Sequence, residues 1–207
     1  MVLSRIRLLI SHIVICTSGL ILIGCVSTQP TQYYMLTGIE DNTRENASST
    51  GASSVRIGLG PVKFPEYLDR SAIIVRGRDP GAEIVINDYH RWAEPLDKNF
   101  LRVLSDNLEI LLNNAFVTTL PWNNSKDIDY QVIIQVARFD VDLSNKVQLS
   151  AHWTIRRKSD GKTVHAHKSA ITQTAGSNDF ADIVETQSKV TGIFSHEIAS
   201  ELQKIIN

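Results

Sequence analysis

The clearest pattern in the chain is strict alternation. Val147, Leu149, Ala151, Trp153 and Ile155 are separated by Gln148, Ser150, His152 and Thr154, which predicts a strand with one packed and one wet face. Asp129 to Asp142 before it and Lys162 to Thr174 after it read as antiparallel neighbours, the second joined through Ser159-Asp160-Gly161, a hairpin-turn signal. Leu96, Phe100, Leu104, Leu108, Leu111 and Leu112 instead recur at three- and four-residue steps. They predict a helix from Pro95 or Leu96 to Asn113, closed by Asn113, Asn114 and Pro121. A second helix is predicted from Asp179 to Ile205 on the spacing of Phe180, Ile183, Val184, Gln187, Val190, Phe194, Ile198, Leu202 and Ile205, with Ser177 or Asn178 as cap. At 1.5 Å per residue it would be about 40 Å long, more than one small sheet needs. Either part of its stripe meets another subunit, or it packs internally with Gly192 marking a bend or a close crossing.

Upstream the pattern is shorter. Tyr33-Tyr34-Met35-Leu36 reads as a first strand, and the polar stretch Gly38 to Ser54 as a linker. Val55, Ile57 and Leu59 alternate with Arg56, Gly58 and Gly60, while Pro61 to Asp69 reads as an irregular connection. Ile73 to Val75 and Glu83 to Ile86 flank the turn residues Arg78 to Ala82, a hairpin in prospect. Together these elements predict an α+β fold: a mixed, largely antiparallel sheet packed against two main helices, the second long and C-terminal.

The N-terminus is different in kind. Arg5 and Arg7 precede the mostly apolar run Leu8 to Gly24, which ends at Cys25, the charged and apolar regions of an export signal. Leu22-Ile23-Gly24-Cys25 resembles a lipobox, so Cys25 is expected to receive a diacylglyceryl group and residues 1–24 to leave as a signal peptide. An uncleaved membrane anchor is the alternative, since about 17 residues reach the lower limit for a span. Val26 after the cysteine reads as an outer-membrane sorting address. Processing removes Cys16 and acylates Cys25, the two cysteines among 207 residues, so no thiol is left for a disulfide, a nucleophile or a metal site.

Charge narrows the partners. The chain has 21 basic and 22 acidic side chains, without the basic surplus that nucleic-acid binding requires. Catalytic constellations are equally sparse. His165 and His167 share a strand face, but no neighbouring residue in the sequence completes a metal site. There is no Gly-x-Ser-x-Gly elbow, Gly58-Leu59-Gly60 leads into Pro61 rather than a helix, and Asp140 with Asp142 reads as an acidic rim, as does Asp127 with Asp129. No catalytic residue, metal or cofactor is expected. Three clusters do stand out: Tyr67-Leu68-Asp69-Arg70, His90-Arg91-Trp92-Ala93-Glu94-Pro95-Leu96, and Pro121-Trp122. They read either as structure, with Arg70 or Arg91 paired to Asp69 or Glu94 under Trp92, or as an interface.

These clusters, with Tyr33 to Leu36, Gly60-Pro61-Val62, Pro65-Glu66, Val75-Arg76, Arg102-Val103-Leu104, Asn107-Leu108, Val136 to Asp140, Ala151-His152-Trp153 and the lipobox, resemble the ABC-type transport auxiliary lipoproteins in nearly their whole order. The resemblance implies residues 25–54 as lipid anchor, first strand and linker, and residues 55–207 as a periplasmic auxiliary-lipoprotein domain. It further implies a non-enzymatic outer-membrane lipoprotein allied to an inner-membrane partner and a tunnel-forming MCE-domain protein of a Pqi-like lipid transport system, and a ring-shaped homo-oligomer. A stand-alone structural lipoprotein and an envelope hydrolase are the competing readings.

Overall fold

The computed structural model describes residues 29–40, 55–77, 83–113, 115–122 and 128–206. The lipobox with Cys25, most of the expected linker, the turn at 78–82, Asn114 and Asp127 lie outside the described residues. All elements fall in the unit Thr31–Asn207. In order they are β1 (Gln32–Tyr34), β2 (Arg56–Lys63), a 3-10 turn (Glu66–Leu68), β3 (Ala72–Arg76), β4 (Ile84–Trp92), α1 (Leu96–Leu111), β5 (Phe116–Thr119), β6 (Tyr130–Asp142), β7 (Lys146–Arg157), β8 (Thr163–Thr174) and α2 (Phe180–Ile206). Among the described residues no helix is long and apolar enough to cross a membrane.

The fold is the expected mixed α+β arrangement. β6, β7 and β8 form the predicted antiparallel succession, and the alternating residues of β7 are buried at every predicted position from Val147 to Ile155. On its other edge β6 takes two parallel partners end to end, β2 along Tyr130 to Gln135 and β3 at Val141 and Asp142. β3 and β4 pair antiparallel, as the hairpin reading expects, with β1 parallel to β4 and β5 parallel to β2. β4 is far longer than the sequence suggested. It runs on through His90-Arg91-Trp92, because β1 pairs with those residues from a distant part of the chain. β2 likewise continues through Pro61 to Lys63, with a register shift after Leu59. There Gly60 has a φ of +121°, a left-handed torsion that favours glycine.

α1 and α2 pack over this sheet, α2 against α1, β7 and β8. Phe100 of α1 sits among Phe64, Phe139 and Phe194 at centroid distances of 5.3, 5.5 and 6.1 Å, in the range where ring pairs add to area burial. Leu96, Phe100, Leu104 and Leu108 are all buried, as are Ile183, Val184, Gln187, Val190, Phe194, Ile198 and Leu202 of α2. Gly192 lies in mid-helix in α2. A Cβ there would stand 3.0 Å from Ile39, so the close approach is to the segment that follows β1. In that segment the Leu36, Thr37 and Ile39 amides donate to Asn99 Oδ1, Ser188 Oγ and Asn107 Oδ1, stitching it to both helices.

Candidate functional site

Two of the three clusters singled out by sequence meet in space. The 3-10 turn after β2 delivers Leu68, Asp69 and Arg70, and the end of β4 delivers Trp92, Glu94 and Pro95 to the opposite wall of a groove of about 400 Å³. Backbone bonds fix both walls: the Asp69 amide donates to Glu66 O at 3.0 Å, the Trp92 amide to Ser71 O at 2.6 Å, and the Ala93 amide to Tyr34 O at 2.9 Å. Leu68, Trp92 and Leu96 form a buried apolar floor, with Val62 and Phe64 partly buried beside them. The rim is charged. Glu66, Asp69, Glu94 and Asp97 line it against Arg70, and Lys98 pairs with Asp97 at 3.2 Å, so a small acidic excess is left at the opening.

The expected ion pairs across this rim do not form. Glu94 pairs with Arg102 at 2.6 Å and Arg91 with the Asp88 carbonyl and carboxylate, while Asp69 and Arg70 have no ion-pair partner among the described residues. Arg102, five residues beyond Asp97 on α1, reaches back to Glu94 ahead of the helix.

Tyr67 holds the turn in place. Its hydroxyl donates to Asp140 Oδ2 at 2.9 Å, and Arg76 lies 5.2 Å from its ring centroid. Arg76 Nε and Nη2 reach the same oxygen at 3.1 and 2.9 Å, and Arg138 Nε reaches Oδ1 at 2.7 Å. Burial, reinforced by the Asp140 charge, pushes the Tyr67 hydroxyl up to about 12. The hydrogen bond to Asp140 likewise raises Arg76. Asp140 is therefore not a rim carboxylate: it is fully buried in β6 and joins β3, β6 and the turn. Asp142 caps the next turn by accepting the Ser144 and Lys146 amides. Asp129 accepts the Arg56 amide. The partners of Asp140 come from three separated stretches, which is why the sequence did not reveal them.

The remaining residues fall elsewhere. His90 stacks on Phe180 at 4.0 Å and contacts the Tyr34 hydroxyl at 2.8 Å, a packing role at the start of α2. Pro121 and Trp122 lie away from the groove. Trp122 covers β2 so closely that a Cβ on Gly58 would come within 2.7 Å of its ring, which accounts for that glycine. His165 and His167 sit beside Trp153, and α2 brings Glu201 to 3.5 Å from His165 Nδ1, carboxylates that the local sequence did not show. Even so, no group of three or more His, Cys, Asp or Glu among the described residues has metal-holding geometry.

The described residues thus form an α+β sheet-and-two-helix domain whose groove has an apolar floor and a charged rim. The chain belongs to the ABC-type transport auxiliary lipoprotein component family, whose profile matches residues 34–199. Members are non-enzymatic transport auxiliaries, lipoproteins of the outer membrane that face the periplasm. The fold is similar to that of an uncharacterized protein of known crystal structure, with a TM-score of 0.68 and 19 % identity over 84 % of this chain and 99 % of that one. Protein XCC0632 from Xanthomonas campestris is similar too, with a TM-score of 0.64 and 16 % identity over 81 % of this chain and 92 % of that one. No curated protein matched the sequence.

Proposed function

We propose that the chain is a PqiC-like outer-membrane lipoprotein of an envelope-spanning MCE-type lipid transport system. In this reading residues 1–24 are a signal peptide, Cys25 carries the acyl groups, residues 25–54 tether the protein, and residues 55–207 form most of the periplasmic domain. The domain docks to, or completes, the outer end of a tunnel built by MCE-domain and inner-membrane partners. As a homo-oligomer it provides a central path that a single subunit does not hold. The observation that carries this reading is the family match along residues 34–199.

The groove supplies the docking chemistry. Its buried Trp92, Leu68 and Leu96 offer an apolar seat, and the small acidic excess at its rim favours a partner segment that is apolar and flanked by basic side chains. A photo-crosslinking amino acid in place of Asp69, in the full chain in native envelopes, tests this. Adducts with an MCE-domain or inner-membrane protein are expected, and a crosslinker in place of Lys168 on β8 should give none. An acylated chain whose groove crosslinks to nothing but its own copies would overturn the docking role.

A further inference from the structure

A second surface lies where the chain comes in from its anchor. β3 covers one edge of β4 through Ile84, Val85 and Ile86, but β1 covers the other edge only at His90 to Trp92. Among the described residues no strand pairs with the stretch from Ile84 to Tyr89 on that edge, although the Tyr89 amide donates to Asn87 Oδ1 and the Asp88 carbonyl accepts from Arg91 Nε. Val85, Ile86 and Tyr89 are 43, 46 and 43 % exposed, and Tyr33 on β1 is 65 % exposed. Soluble proteins normally guard such an edge with lysine, proline or a covering element; here Val85, Ile86 and Tyr89 are exposed beside Asp88, without a lysine or proline among them.

Chain length limits what can cover it. Gln32 opens β1 opposite His90, and only Val26 to Thr31 separate it from Cys25. Fully extended, that stretch reaches about 25 Å, whereas a compact unit of about 180 residues is roughly 40 Å across. A bilayer that holds acyl groups at Cys25 is thus within reach of Tyr33 and Tyr89, and the far side of the sheet is not. Tyrosine favours the membrane–water boundary, where its ring is buried and its hydroxyl stays wet. A second copy of the chain is a poorer occupant, because four side chains expose a few hundred Å² on each copy, below the roughly 600 Å² per partner of the smallest stable interfaces.

We propose that the β1/β4 edge rests on the phospholipid surface that holds the anchor, with Tyr33, Val85, Ile86 and Tyr89 at the headgroup boundary. The proposal rests on the lipidation of Cys25 given above. Processing leaves no free thiol, so single reporter cysteines can be introduced: Tyr33→Cys, Ile86→Cys and Tyr89→Cys, with Lys168→Cys on the opposite edge of the sheet as reference. Each is labelled with an environment-sensitive fluorophore in the full lipidated chain, in vesicles of phosphatidylethanolamine and phosphatidylglycerol with or without brominated acyl chains. Most of the fluorescence at the three edge positions should be lost to brominated lipid, and little at the reference position. A chain that floats with the vesicles but is quenched nowhere on this edge overturns the contact. Protection from aqueous iodide without quenching by brominated lipid means that another copy covers the edge, and also overturns it. A chain that does not float and lacks acyl mass overturns the lipidation itself, and the proposal with it.

Discussion

Asp140 accepts four hydrogen bonds from three side chains while shut away from water. A buried carboxylate is stable only when paired in this way, and its partners are held as firmly as it is. Tyr67→Phe removes one of the four bonds and loosens the turn that carries Asp69 and Arg70 into the groove. A loss of about 1 to 2 kcal/mol near neutral pH is expected, measured by urea unfolding. The folded hydroxyl titrates at about 12 and an unfolded tyrosine near 10. Raising the folded value makes the contribution of Tyr67 intact below about pH 10 and lost as pH climbs toward 12. The wild-type midpoint should therefore fall more steeply across that window than that of Tyr67→Phe. Parallel curves would show that the phenol is not coupled to Asp140.

At the scale of elements, the chain after β1 acts as a spline between the two helices. Asn107 is fully buried; its Oδ1 accepts the Ile39 amide at 2.9 Å and its Nδ2 donates to Ser195 Oγ at 2.9 Å. Asn107→Leu leaves the Ile39 amide without an acceptor and should cost about 3 kcal/mol, with faster hydrogen exchange at Ile39. Unchanged stability and protection would contradict the role given to this segment. These bonds were not legible in the sequence, because their partners lie between 63 and 151 positions apart along the chain. The apolar periods of β7, α1 and α2 were legible because burial repeats locally at each turn or pleat. β5 was missed since Phe116-Val117-Thr118-Thr119 is too short to show a period and pairs only with distant β2. β4 was cut short at Ile86 because Asn87 and Asp88 break its apolar run, and its later pairing comes from β1.

For the whole molecule, the two proposed surfaces share one strand. Trp92 at the end of β4 floors the groove, while Val85, Ile86 and Tyr89 earlier in β4 form the apolar edge. A partner seated in the groove would thus engage the protein close to the membrane that tethers it, as suits a component at the outer end of a conduit. Two of the three clusters noticed in the sequence, each an aromatic crowded by ionisable residues, line one groove, but the ion pairs made there are not those the sequence suggested. Which charges meet depends on how β2 and β4 converge, and no local pattern encodes that. The tether and the proposed membrane contact both depend on the anchor at Cys25. Intact mass of the chain extracted from native membranes tests it most directly: the prediction is a chain that begins at Cys25 and carries acyl mass, and a chain still bearing residues 1–24, or one processed there without acyl mass, would contradict it.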